Sequence, residues 1–175
     1  MVSSKQEILR YWKDWHLVED KIKVEMDWLR RSVETFLVEE KHAPRGCREC
    51  FLRRIAILIV SGRVKATEIT RTAPLKSFWR SKNSRNCEKY RGGDWHKKTT
   101  QKIDNHFRQQ YYKTALEPNL YWGRADLGVF KKDKLDLYVE VGTTSFFKLW
   151  INLEQMKSCV YLIVPNDDKI IEFVC

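Results

Sequence analysis

The sequence predicts an α+β or α/β fold: a helical amino-terminal region, then an α-β-β-β-α-β core with a mixed sheet flanked by helices. Three observations predict it. No Gly or Pro occurs before Pro44, and apolar residues in that stretch recur at a helical spacing. A polar, basic stretch ending in Gly92-Gly93 separates this region from one of different texture. The later region combines an amphipathic helix pattern with short runs of strand length, the last two rich in Val and Ile.

The elements follow in order. Ile8, Trp12, Trp15, Ile22, Met26, Leu29, Val33 and Phe36 recur mostly at steps of three or four, so residues 4–41 are expected to form one long helix or two in tandem. Such a stripe suits a homodimer seam or packing on the rest of the chain. Residues 50–60 read as a buried helix closed by Ser61-Gly62. Residues 65–70 then read as a short helix and 75–80 as a basic third one, the order of a degenerate helix-turn-helix. Residues 83–93 read as a loop, so 1–93 would form a helical domain and 94–175 a second domain. Residues 95–115 read as a helix with Ile103, Phe107 and Tyr111 on one face, and Pro118 marks its stop. Strands are expected at 120–122, 125–130 and 135–141. Thr144 or Ser145 can cap a helix to about Lys157, with Phe146, Leu149, Trp150 and Leu153 on one face. Residues 159–164 and 169–174 read as closing strands.

Composition narrows the function. At 43% hydrophobic residues wholesale disorder is ruled out, and no apolar run approaches the ~20 residues needed to span a bilayer, so no membrane partner is expected. The first residues lack a signal-peptide pattern and five cysteines cannot all pair, which points to an intracellular protein. The formal charge is +10, and it is unevenly placed. Residues 41–102 hold seventeen Lys/Arg against four acids, while both flanks are slightly acidic. Aromatics are interleaved there, around Phe78-Trp79 and Tyr90. A regional surplus of this kind suits a nucleic-acid backbone, with Arg80, Lys82, Arg85, Lys89 and Arg91 as candidate contacts.

Two carboxylates carry the chemistry. Leu127 and Val129 share one face of their strand, and Leu137, Val139 and Val141 share one face of the next. With these faces in a core, Asp126 and Glu140 fall on the opposite face, as does Asp136. A hairpin centred near Asp133 sets Asp126 across from Glu140, with Cβ atoms roughly 5 Å apart. Like charges at that distance need a cation between them, and a divalent ion with oxygen ligands meets the need. Gly128 and Gly142 would lie on the same face and leave room for a bulky substrate. The alternative is a solvated polar face on which two acids align.

Arg124-Ala125-Asp126 followed by Tyr138-Val139-Glu140-Val141-Gly142, in this element order, resembles the PD-(D/E)XK nuclease superfamily over roughly residues 94–175. The motif looks like that of the archaeal Holliday-junction-resolvase-like and viral nuclease members. The resemblance implies a restriction-endonuclease-like fold and metal-dependent endonuclease or resolvase-like hydrolysis of duplex or branched DNA. It also implies Mg²⁺ or Mn²⁺ on Asp126, Glu140 and the Val141 carbonyl. The family lysine two residues after the glutamate is replaced by Gly142. A lysine relocated to the following helix is known in the superfamily, and Lys148 is the one near enough in sequence, on a polar face with Asn152 and Gln155; a solvated helix lysine is the other reading. The family acid on the first helix would be Asp94 or Asp104.

Cys47 and Cys50 have the spacing of a zinc pair, with His42 upstream and Cys87 or His96 as further ligands; a disulfide and plain thiols are the other readings. A structural Zn²⁺ would staple the basic region. Three functions follow in order: a metal-dependent nuclease, a non-catalytic DNA-binding or regulatory protein on a decayed nuclease core, and a dimeric assembly protein.

Overall fold

The computed structural model describes residues 4–39, 47–70, 93–165 and 169–175. Helix α1 (Ser4–Ser32) contains no helix breaker, and Arg30 and Arg31 in its last turn complement the helix dipole. It stops at Ser32 rather than near residue 41. A 3₁₀ turn (Glu34–Phe36) then leads into strand β1 (Leu37–Val38), which pairs in parallel with β6 (Thr144–Ser145). The buried Leu37 side chain accounts for the change of direction.

Ile22, Met26, Leu29 and Val33 on the second half of this segment are buried in a core shared with helix α2 (Arg48–Val60) and with the sheet. The apolar stripe therefore packs on the rest of the chain at this end. Trp15, Leu17, Val18 and Val24 stay exposed. Leu29→Ala should cost about 3 kcal/mol of stability, the usual range for a fully buried leucine. Urea unfolding at two protein concentrations checks it: an intrachain contact gives a loss independent of concentration, whereas a dimer seam does not.

Helix α2 forms as its sequence predicts, ending at Ser61 with Gly62 at φ +74°, a left-handed turn that glycine adopts without strain. Residues 65–70 are not a helix. They form strand β2 (Lys65–Thr70), antiparallel to β8 (Lys169–Val174) along its whole length. Six residues rich in Thr and Ile gain more from a complete ladder on an open sheet edge than from an isolated helical turn. The helix-turn-helix reading fails with this strand, and its third helix, 75–80, lies outside the described residues.

Helix α3 (Asp94–Gln109) is shorter than expected, because Tyr111 takes a left-handed backbone (φ 62°) and is 92% exposed. Lys113–Leu116 is strand β3, and residues 120–122 are a turn closed by the Leu120 N–H to the Gly123 carbonyl. Strands β4 (Leu127–Phe130) and β5 (Asp136–Val141) pair in the expected register, Leu127 opposite Val139 and Val129 opposite Leu137. Helix α4 (Phe146–Gln155) is capped by Ser145, whose hydroxyl accepts the Lys148 N–H at 2.9 Å. Strands β7 (Cys159–Val164) and β8 close the sheet where the sequence places them.

The six-stranded sheet runs β2-β8-β7-β5-β4-β3, parallel only between β5 and β7. Residues Leu127, Val129, Val139 and Val141 face α3 through Trp95, Ile103 and Phe107. The opposite face, with Tyr161, Ile163, Ile171 and Phe173, packs in one core with residues of α1, α2 and α4. Since β2 belongs to this sheet and α1 and α2 to this core, position 93 does not divide two independent cores. The architecture is a mixed helix-and-sheet fold.

Candidate functional site

The open end of the β4–β5 hairpin gathers side chains from four elements. Asp126 immediately precedes β4, and its N–H donates to the Val139 carbonyl at 3.0 Å, extending the ladder by one residue. The register then sets Asp126 across from Glu140. Its Oδ2 accepts the Val141 N–H at 2.6 Å and lies 3.1 Å from His96 Nε2 on α3. The hydrogen bond to Asp126 raises the His96 pKa above its usual 6.5, overcoming burial.

Glu140 is only 4% exposed, because α4 and its neighbours cover the polar face that the strand pattern suggests is open. Its Oε1 lies 2.6 Å from Lys148 Nζ and accepts the Tyr161 hydroxyl at 3.0 Å. Burial pushes its pKa up to about 7, more than the Lys148 charge and the two hydrogen bonds pull it down. Burial also holds the Tyr161 phenol well above its ordinary range, so that Tyr161 remains a donor.

Lys148 is not a solvated helix lysine. Its side chain is 18% exposed, and Nζ also donates to the Arg124 carbonyl at 2.6 Å. One turn on, the fully buried Asn152 accepts the Trp122 N–H at 2.8 Å and donates to the Trp122 carbonyl at 3.1 Å. The polar face of α4 thus grips the loop leading to Asp126, although Gln155 is exposed. Gly123 sits at φ +74°, where a Cβ would come to 3.6 Å from Lys148 Cε, so a side chain there would strain the backbone.

Asp126, Glu140 and Lys148 therefore converge, and His96 and Tyr161 join them. Neither addition was legible as part of this site. His96 follows Asp94 by two residues, a weak signal that only the packing of α3 makes meaningful, and Tyr161 reads as a core strand residue. Asp104 is not in the site; it is buried farther along α3 and paired with Arg108 at 2.8 Å. Asp94 is exposed in the first turn of α3. The space expected at Gly128 is filled: a Cβ there would come within 2.7 Å of the Phe130 ring and 2.9 Å of Pro118. Gly142 takes φ +91° and its Cβ direction meets Trp95, so the two glycines do not form one open substrate face.

Among the described residues, no three or more His, Cys, Asp or Glu side chains form a metal-holding cluster. Two carboxylates nevertheless match the chemistry of Mg²⁺, which keeps several waters and commonly takes one or two carboxylates plus substrate phosphate oxygens. The contacts described above engage Oδ2 of Asp126 and Oε1 of Glu140. Cys47 and Cys50 are joined as a disulfide across the first turn of α2, and in that form neither is a zinc ligand. His42 and Cys87 lie outside the described residues, as do Arg80, Lys82, Arg85, Lys89 and Arg91. Among the described residues no helix is long and apolar enough to cross a membrane. No protein-family model, curated protein or solved structure matches this chain.

Proposed function

We propose that the chain is a metal-dependent nuclease that hydrolyses phosphodiester bonds in DNA. The observation that carries this reading is the convergence of Asp126, Glu140 and Lys148, with Lys148 arriving from the helix after β5 to stand 2.6 Å from Glu140. Asp126 and Glu140 would hold Mg²⁺ or Mn²⁺, with the Val141 carbonyl as a further ligand. Such an ion supplies a lowered pKa for bound water and neutralises charge on the scissile phosphate. Lys148 places a cation where phosphorane charge grows, and the Arg124 carbonyl and Glu140 keep it aligned. The Val141 N–H and His96 hold the orientation of Asp126.

A second reading is a non-catalytic DNA-binding or regulatory protein. The Lys148–Glu140 ion pair favours it, because the pair already satisfies the carboxylate that catalysis would use. Trp15, exposed and on the line of the apolar stripe of α1, marks the surface through which a homodimer would assemble. Cleavage of duplex, branched and single-stranded DNA with added Mg²⁺ or Mn²⁺ tests the nuclease reading, with Asp126→Ala as the control. No cleavage of any substrate would leave the binding reading.

Lys148→Ala should lower the single-turnover rate roughly 100-fold, the scale for losing one positioned transition-state charge, and change Mn²⁺ affinity little. Cleavage by Lys148→Ala at the wild-type rate would return this side chain to a purely structural role.

A further inference from the structure

The outer face of α3 is basic from Lys97 onward, after the exposed Asp94 of its first turn. Trp95, Ile103 and Phe107 pack on the sheet, while Lys97, Lys98, Lys102 and Arg108 are exposed together with Gln101 and Asn105. The β4–β5 hairpin docks at the far end of this helix. There Lys131 Nζ lies 3.5 Å from the Gln110 carbonyl and 4.4 Å from the centroid of the Tyr112 ring. That contact brings Lys132 and Lys134 to the same end. Lys113 joins them, because the β3–β4 ladder pairs it with Phe130.

Residues 94–113 and 131–134 together hold eight Lys/Arg against three acids. One of those acids, Asp104, is buried and already paired with Arg108. The near end of α3 is His96, 3.1 Å from Asp126. We infer that the outer face of α3, continued by Lys113 and the hairpin tip, is the track on which a duplex DNA backbone lies, leading its phosphates toward Asp126 and Glu140.

Sixteen residues make α3 about 24 Å long, which matches roughly seven base pairs of duplex. The exposed side chains named on this face are Lys, Arg, Gln and Asn, groups that meet phosphate oxygens rather than stack on bases. They also lack the apolar row that would enter a lipid surface. The direction of the track rests on the nuclease reading, whereas the binding itself does not.

The test is fluorescence anisotropy with a labelled 30-base-pair duplex of arbitrary sequence, titrated across salt in EDTA so that cleavage plays no part. Lys97→Gln/Lys98→Gln/Lys102→Gln should make the slope of log K against log salt shallower by about two to three, at ~0.9 per lost contact. Affinity near 0.1 M salt should fall roughly 100-fold. A variant removing the same charge from α1, Lys21→Gln/Lys23→Gln/Arg31→Gln, should keep close to the wild-type slope.

Parallel lines for the α3 variant and wild type overturn the track, as does an equal loss in both variants or a wild type that binds no duplex. Cleavage assays of the same proteins in Mg²⁺ separate the two ideas. An α3 variant that binds and cuts like wild type removes the track and leaves the nuclease. Wild-type protein that binds through α3 and cuts nothing removes the nuclease and leaves the track.

Discussion

Asp126→Ala and Glu140→Gln should each lower metal-dependent cleavage by about 10³-fold or more, while the chain stays folded. Each substitution removes one of the two carboxylates proposed to hold the ion. An ion contributing several kcal/mol of charge stabilisation, once displaced, costs about 4 kcal/mol of barrier at that scale. Asp126 is partly exposed and Glu140→Gln preserves shape, so the circular dichroism spectra should match wild type while the rate falls. Single-turnover cleavage in Mg²⁺ and in Mn²⁺ checks the expectation. Wild-type rates in both variants would remove these carboxylates from the chemistry.

The second large effect is a fall in stability as pH rises, in the metal-free protein. Burial raises the Glu140 pKa from 4.5 to about 7, so between those values the folded chain keeps a proton that the unfolded chain has released. Stability from this group is therefore fully present below about pH 4.5 and is lost as pH rises through 7. Integrated over the shift, the loss is about 3 kcal/mol. His96 acts in the same direction, since its raised pKa gives stability below 6.5 that is lost as pH rises through the folded value. Urea unfolding at pH 4.5, 6 and 8 in EDTA should show the decline, and Glu140→Gln should remove most of it. Saturating Mn²⁺ should flatten the wild-type profile, because the ion favours the carboxylate. A wild-type profile that is already flat in EDTA would mean that Glu140 is not held protonated.

These two expectations draw differently on sequence and structure. The facing of Asp126 and Glu140 was legible, because strand alternation leaves one register that buries Leu127, Val129, Val139 and Val141 together. The raised pKa of Glu140 was not. It comes from burial of a face that two strands alone leave open, against the pull of the Lys148 charge and the Tyr161 hydrogen bond.

The sequence by itself determined the elements whose signal is local and complete. Helix α2 ends at its Ser-Gly turn, Ser145 caps α4, and β7 and β8 coincide with their Val- and Ile-rich runs, because each pattern encodes its own periodicity or cap. Tertiary structure decided what depends on a partner. Residues 65–70 become a strand because β8 offers an unpaired edge, and Lys148 turns inward because the 122–124 backbone supplies acceptors for it and for Asn152. Charge behaves in the same way. Linear division assigns Lys97, Lys98 and Lys102 to a basic middle third and Lys113, Lys131, Lys132 and Lys134 to an acidic flank. Packing of the hairpin against the end of α3 brings Lys131 to that helix across the linear division, and electrostatic fields add by distance in space and not by position in the chain.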